Sequence, residues 1–246
     1  MAGLVAAFGA LSACGKSSMN GSINGPIIIA AGKVTGDVAT VNGEITVGQG
    51  ATIGQAMAVN GEVTLGANVT AKSIKTVNGR VRVGADTKVE GTVKTVNGEL
   101  TLGKGADIGG RLSNINGAIL VASAHVAGGI STVNGDIDLR DGSHVEGGIH
   151  VELPTLDVND SNRHDIPRVV IGPNVIVQGP LKFEHEVKLY VSDSATIGPV
   201  EGATAEKFSG DQPPGDSGDV KSAAASDARD TGSSSDSTLK SGPEKE

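Results

Sequence analysis

Apolar and polar residues alternate in short bursts along this chain, and the bursts recur at a fixed distance. Ile45 and Val47, Val63 and Leu65, Val81 and Val83, Leu100 and Leu102, Ile119 and Val121, and Ile137 and Leu139 are each separated by a single residue. Side chains of a strand point alternately to opposite faces, so this period predicts strands with one buried side. A second series sets an apolar residue two before and two after a glycine. Val34 and Val38 flank Gly36, Val89 and Val93 flank Gly91, and Val145 and Ile149 flank Gly147. Together the two series predict three short strands in each repeat.

The repeat is marked by Asn-Gly preceded by Val or Ile, at Asn24, Asn42, Asn60, Asn78, Asn97, Asn116 and Asn134. Successive steps are 18, 18, 18, 19, 19 and 18 residues, and a fixed internal period of this length announces a solenoid. The predicted fold is all-β: a single-stranded triangular parallel β-helix of 18–19 residues per coil, with coils Val41–Ala58, Val59–Thr76 and Val77–Thr95. Coils hydrogen-bonded in parallel lie ~4.8 Å apart, so about nine or ten of them between Ile23 and Gly202 would make a rod roughly 45 Å long. The competing arrangement is an array of hairpins, since Asn-Gly is a strong hairpin-turn signal. Hairpins need a turn about every 8–12 residues, and Asn-Gly comes too seldom for that.

In a solenoid the corner glycines are expected to supply positive φ. The stacked asparagines are expected to hydrogen-bond amide to amide, as in other stacked parallel strands. Such a column reads as structure rather than as a row of ligands. Glu44, Glu62, Arg80 and Glu99 each follow an Asn-Gly and are expected to face solvent, Arg80 between two glutamates.

Composition agrees with thin stacked layers rather than a conventional core. Of 246 residues 37 are glycine, aromatics make up 2%, and tryptophan is absent. Aliphatic layers must then supply the core, without the large rings on which globular cores lean. The formal net charge of −8 argues against a nucleic-acid partner, whose phosphates select a basic surface.

The runs Val81-Arg82-Val83-Gly84-Ala85-Asp86-Thr87-Lys88-Val89-Glu90-Gly91 and Leu102-Gly103-Lys104-Gly105-Ala106-Asp107-Ile108-Gly109-Gly110 resemble bactofilins, the bacterial polymer-forming cytoskeletal proteins. The resemblance covers residues 23 to 202. It implies a right-handed triangular β-helix and a self-assembling homo-oligomer. Two features depart from that family: its members are typically cytoplasmic, and their repeats are less regular than Val-Asn-Gly here.

The start of the chain points elsewhere than the cytoplasm. An apolar run leads to Leu11-Ser12-Ala13-Cys14-Gly15, which resembles a bacterial lipobox. The resemblance implies removal of residues 1–13 as a lipoprotein signal peptide, lipidation of Cys14, and a tether over 14–22. The partner implied is a membrane, reached through the lipid on Cys14. The apolar run is too short for a permanent spanning helix. The bland alternative is an ordinary buried cysteine. With a single cysteine in the chain, neither an internal disulfide nor a thiolate cluster is available. Gly15 is not the aspartate that often retains lipoproteins at the inner membrane, so the location implied is the periplasmic face of an outer membrane.

The regular β-helix is expected over 23–152. A loop is predicted at 153–168, where Pro154, Pro167 and a polar stretch interrupt the register. The last coils and a C-terminal cap follow over 169–208, and there Phe183, Tyr190 and Phe208 cluster along the sequence. A solenoid end exposes apolar residues and strand edges and needs covering, so these rings are read as cap aromatics, with a binding patch as the alternative. From 209 to 246 the chain turns to Ser, Asp, Gly, Pro and Lys, a composition that predicts a disordered tail.

Little points to chemistry. His125, His144, His150, His164 and His185 show no metal-ligand spacing, and no metal or cofactor is expected. His125 and His144 fall one coil apart and are expected to face solvent. Asp136, Asp138 and Asp141 are the densest carboxylates, with Asp136 and Asp138 expected to point outward together, as paired acids do in sugar-cleaving enzymes. His164 in the predicted loop is the nearest counterpart of the histidine of hexapeptide acyltransferases. The leading expectation is no enzyme but a cell-envelope lipoprotein with a scaffolding β-helix. A glycan- or protein-binding, adhesin-like module is the alternative, and a hexapeptide-type acyltransferase comes third.

Overall fold

A computed structural model describes residues 20–154, 166–210 and 212–213. Within them every regular element is a β-strand, and every strand pair is parallel. The strands wind into a β-solenoid of about ten turns. One sheet runs its whole length in ten strands, from Ile27–Ile29 through Val81–Val83 to Ala205–Phe208. The other two strand columns belong to one 16-stranded sheet, because the long strands Thr52–Asn60 and Thr70–Lys75 run around the corner between them.

Register fixes the core. Val63 pairs with Val81, Val81 with Leu100, Leu100 with Ile119 and Ile119 with Ile137, so like residues stack turn upon turn. All five are fully buried. Each aliphatic side chain removed from water contributes about 1.5–3 kcal/mol, and together they replace the missing rings. The hairpin alternative is thereby set aside: every partner lies a turn away.

Each corner has its own chemistry, and the expected positive φ of the Asn-Gly corner is present at Gly25, Gly98 and Gly117, at 140°, 154° and 114°, but not at the other four. Positive φ recurs after each strand of the ten-stranded column from Ile27–Ile29 to Arg168–Ile171, at 67° to 74° for Gly32, Gly50 and Gly105 and 50° to 58° for Asn68, Asp86, Ser123, Asp141 and Asn174. Gly, Asn and Asp are the residues that tolerate this conformation most readily. The Asn-Gly corner needs glycine for a different reason. A Cβ on Gly43, Gly61 or Gly79 would lie 2.1, 1.8 or 1.9 Å from the carbonyl oxygen of the equivalent glycine one turn earlier. None of these three has positive φ. At these three positions close stacking of backbone on backbone, not dihedral freedom, excludes a side chain.

Threonine closes the same corner from inside. Thr76 and Thr95 are buried and donate through Oγ1 to the carbonyls of Gly61 and Gly79, both at 3.2 Å. These threonines stand two residues before Asn-Gly, so Thr-Val-Asn-Gly is the full corner motif. Buried hydroxyls of this kind are tolerated because each has its acceptor.

After Ile137 the period of the ten-stranded column departs from 18–19, successive partners lying 32, 20 and 16 residues apart. Ile137 pairs with Val169, and the backbone N–H of Arg168 meets Asp136 across 32 residues. The chain then resumes the winding, with Val169 beneath Leu189 and Leu189 beneath Ala205. Residues 155–165 of the predicted loop lie outside the described residues, as do most of the predicted tail and the whole signal segment with Cys14.

Gly79→Ala should destabilise the fold by about 1–3 kcal/mol, the usual cost of forcing atoms into filled space. A urea titration of Gly79→Ala beside exposed Lys104→Ala checks this. The first should lower the midpoint and the second leave it in place; equal midpoints would contradict the close stacking.

Candidate functional site

The outer surface carries three groups of polar side chains, and each is built by the winding. The first is the asparagine column. Asn42 Nδ2 donates to Asn24 Oδ1 at 2.9 Å, Asn60 to Asn42 at 3.0 Å, Asn78 to Asn60 at 2.9 Å and Asn97 to Asn78 at 2.9 Å. Asn116 donates to Asn97 at 2.8 Å and Asn134 to Asn116 at 3.1 Å. The chain of amides is directional: every Nδ2 points to the preceding turn. The side chains are exposed, so each bond contributes at the modest end of about 0.5–1.5 kcal/mol. Beside it Arg80 lies 4.0 Å from Glu62 and 3.9 Å from Glu99, with Arg82 also on Glu62.

The column ends where the period is lost. In the turns below, the asparagine N–H donates to the carbonyl of the residue before the previous asparagine, as Asn134 does to Ile115 at 2.8 Å. Among the described residues no asparagine follows Asn134 in this column. The Val133 carbonyl is instead satisfied by His185, whose Nε2–H reaches it at 2.8 Å from 52 residues away. Sequence reasoning missed this role, since nothing near His185 marks its partner.

The second group lies on the second column. His125 and His144 are register partners, with ring centroids 5.4 Å apart and tilted by 55°. His125 Nδ1 is 2.7 Å from Asp107 Oδ1, one turn below, and Nε2 is 3.1 Å from Glu146 Oε1. The Asp107 carboxylate, with Glu146 behind it, holds the His125 pKa above 6.5 against the opposing effect of partial burial. His144 does not simply face solvent as expected: its Nε2 is buried without a hydrogen-bond partner. Among the described residues no three His, Cys, Asp or Glu side chains converge into a cation site.

The third group surrounds the break in the repeat. Glu184 accepts the Leu153 N–H at 3.1 Å and meets His150 Nε2 at 2.9 Å, with Lys182 Nζ at 3.6 Å. The Leu153 bond, then His150, keeps the Glu184 carboxyl below its ordinary range. One end of the interrupting segment is thus tied down by a carboxylate, the other by Asp136 on the Arg168 N–H at 2.8 Å.

The three clustered aspartates do not form a catalytic pair. Asp138 is not outward and open as expected but 8% exposed, clasped by Arg140 through bonds of 2.5 to 2.9 Å. Asp136 is spent on Arg168, and Asp141 occupies a positive-φ corner. The three rings stand on strands of the last turns. Phe183 and Phe208 are buried on different columns, whereas half-buried Tyr190 faces out under the Arg168 guanidinium, 5.4 Å from its centroid. His164 lies outside the described residues, with Cys14.

In comparisons with protein-family models, with curated proteins and with solved structures, nothing matches this chain.

The His125 bridge sets a pH dependence. Doubly protonated imidazole donates to both carboxylates, and the neutral ring can donate to only one. Because the folded value is raised, the stabilisation is full below the unfolded value of 6.5 and is lost as pH rises through the folded one. His125→Gln should therefore cost more stability at about pH 5.5 than at about pH 8. Urea melts of both proteins at the two pH values check the sign; a cost that grows with pH would contradict it. The ring of His144, in contact with that of His125, is controlled by His144→Gln.

Proposed function

We propose that this chain is a structural lipoprotein of a bacterial cell envelope, a β-solenoid rod held to the membrane by lipid on Cys14. One observation carries the reading: six consecutive amide bonds run up seven turns over one continuous aliphatic core. Outer polar groups are committed to binding turn to turn, which is the use a rod makes of them. The lipobox resemblance at Leu11–Gly15 supports the anchor, and Gly15 supports the periplasmic face of an outer membrane. The bactofilin resemblance supports a right-handed triangular winding and assembly of copies into ordered oligomers. Exposed Ile23, Ile28 and Val34 on the first turns, at 73, 72 and 72%, support association there. No catalytic residue is assigned.

A second reading, a glycan- or protein-binding module, rests on the interruption of the winding. Leu153 and Ile166, 57 and 37% exposed, stand at its two ends, beside outward Tyr190 under Arg168. Electron microscopy of the mature chain without added ligand separates the two. Filaments or regular oligomers are expected for the scaffold; dispersed monomers, with binding lost on removing 155–165, would favour the module. Cys14→Ser should release the protein from the membrane fraction, and a variant that stays bound would overturn the anchor.

A further inference from the structure

The seven Asn-Gly pairs of the column differ in where the glycine N–H goes. Gly25, Gly43, Gly61, Gly79 and Gly98 each donate to the carbonyl of the asparagine one turn on, at 2.9 to 3.2 Å. Gly135 donates to Thr132 Oγ1 at 3.0 Å. Gly117 N–H has no acceptor among the described residues. Asn116 and Gly117 are both exposed. Asn116 is bridged to Asn97 on one side only, whereas Asn60, Asn78 and Asn97 are bridged on both.

A sequence departure coincides with this. The corner motif Thr-Val-Asn-Gly becomes Asn114-Ile115-Asn116-Gly117 at this turn. Asn114 is 2% exposed and fills the threonine position with a longer side chain. Its Nδ2 donates to Gly98 O at 2.9 Å, as the threonines do to their glycines, but also to Gly117 O at 2.8 Å. Its Oδ1 accepts the Ile115 N–H at 2.7 Å. Holding the Gly117 carbonyl goes with a φ of 114° at Gly117, and its N–H makes no bond to the Asn134 carbonyl.

We propose that Asn116 is the site at which this column spontaneously deamidates. The reaction needs only water. The Gly117 nitrogen, having lost its proton to solvent, attacks Asn116 Cγ. The N–Cγ bond forms, the Cγ–Nδ2 bond breaks, and Nδ2 leaves as ammonia, giving a five-membered imide. Water then opens the imide at either carbonyl, to aspartate or isoaspartate; nothing is oxidised or reduced. At the other pairs a hydrogen bond holds both the proton and the position of the attacking nitrogen. At Asn116 the nitrogen is unheld, while the Asn134 Nδ2–H on Asn116 Oδ1 at 3.1 Å steadies the negative oxygen of the addition intermediate.

The product cuts the column at a defined place. An acid at 116 has no Nδ2–H to give Asn97, and its carboxylate oxygen faces the Asn97 amide oxygen. The bond from Asn134 survives, because it needs only an acceptor. The isoaspartate product also lengthens the backbone at a corner where Gly117 has the Gly98 oxygen 2.5 Å from its Cβ position.

Peptide mapping by mass spectrometry, after incubating the folded full chain in mildly alkaline buffer, tests this. Asn116 should convert about fivefold faster than any of the other six, the factor one net hydrogen bond is worth. In urea the seven should converge. Asn114→Thr, which restores the motif, should slow Asn116 to the rate of its neighbours. Native-state hydrogen exchange gives a check independent of the variant: Gly117 N–H should exchange freely and Gly98 N–H slowly. Equal conversion across the folded column, a folded Asn114→Thr with unchanged conversion, or a Gly117 as protected as Gly98 would each overturn the proposal.

Discussion

Everything in this molecule depends on one spacing, the ~4.8 Å between hydrogen-bonded parallel strands. Turns stacked that closely leave no room for side chains where the backbone bends toward the turn below. The column of glycines from Gly43 to Gly135 is the consequence, each holding the previous carbonyl oxygen where a Cβ would be. The same spacing lets an asparagine amide bridge directly to the next. It also lets one aliphatic side chain cover another, so Val, Ile and Leu suffice for a core. Geometry at one corner therefore dictates the composition of the whole repeat.

The winding was legible because its signals are periodic. Alternating aliphatics gave the strands, and the Asn-Gly interval gave the turn. Local pattern misled where tertiary stacking decides. Asn-Gly ordinarily signals positive φ, and Gly79 has none; the left-handed residues stand at another corner, where Asp86 and Asn174 were unmarked among other polar residues. Asp138 sits at an outward strand position yet is closed over by Arg140, which period two cannot foresee. His185 meets Val133 only because the winding returns there after a break, a contact with no local trace. The threonine of the corner motif was available in the sequence at Thr40, Thr76, Thr95 and Thr132, two residues before the asparagine of four of the seven Asn-Gly pairs.

Departures from the repeat are where the structure carries information beyond stability. Asn114 alters one corner, where a neighbouring glycine N–H has no acceptor among the described residues. The break before Val169 ends the asparagine column and brings His185, Glu184 and Asp136 into new duties. A regular rod offers little to a ligand, since its polar groups are already paired; a scaffold is the use that asks least beyond that regularity. The proposed function and the proposed chemical weak point follow from the same source, a surface whose hydrogen bonds are spent on its own neighbours.

The central claim is that one period of sequence is one turn of structure, each turn resting only on its neighbours. Deleting Val59–Thr76 removes one such period. Asn78 then stands over Asn42 and Gly79 over Gly43, and every aliphatic keeps its face. Deleting only Val59–Ala67 rotates the following chain by half a turn and sets valines over corners. Thermal melts followed by circular dichroism should show one cooperative transition near that of the parent for the full-period deletion, and its loss for the half-period one. Identical melts of the two deletions would contradict the account.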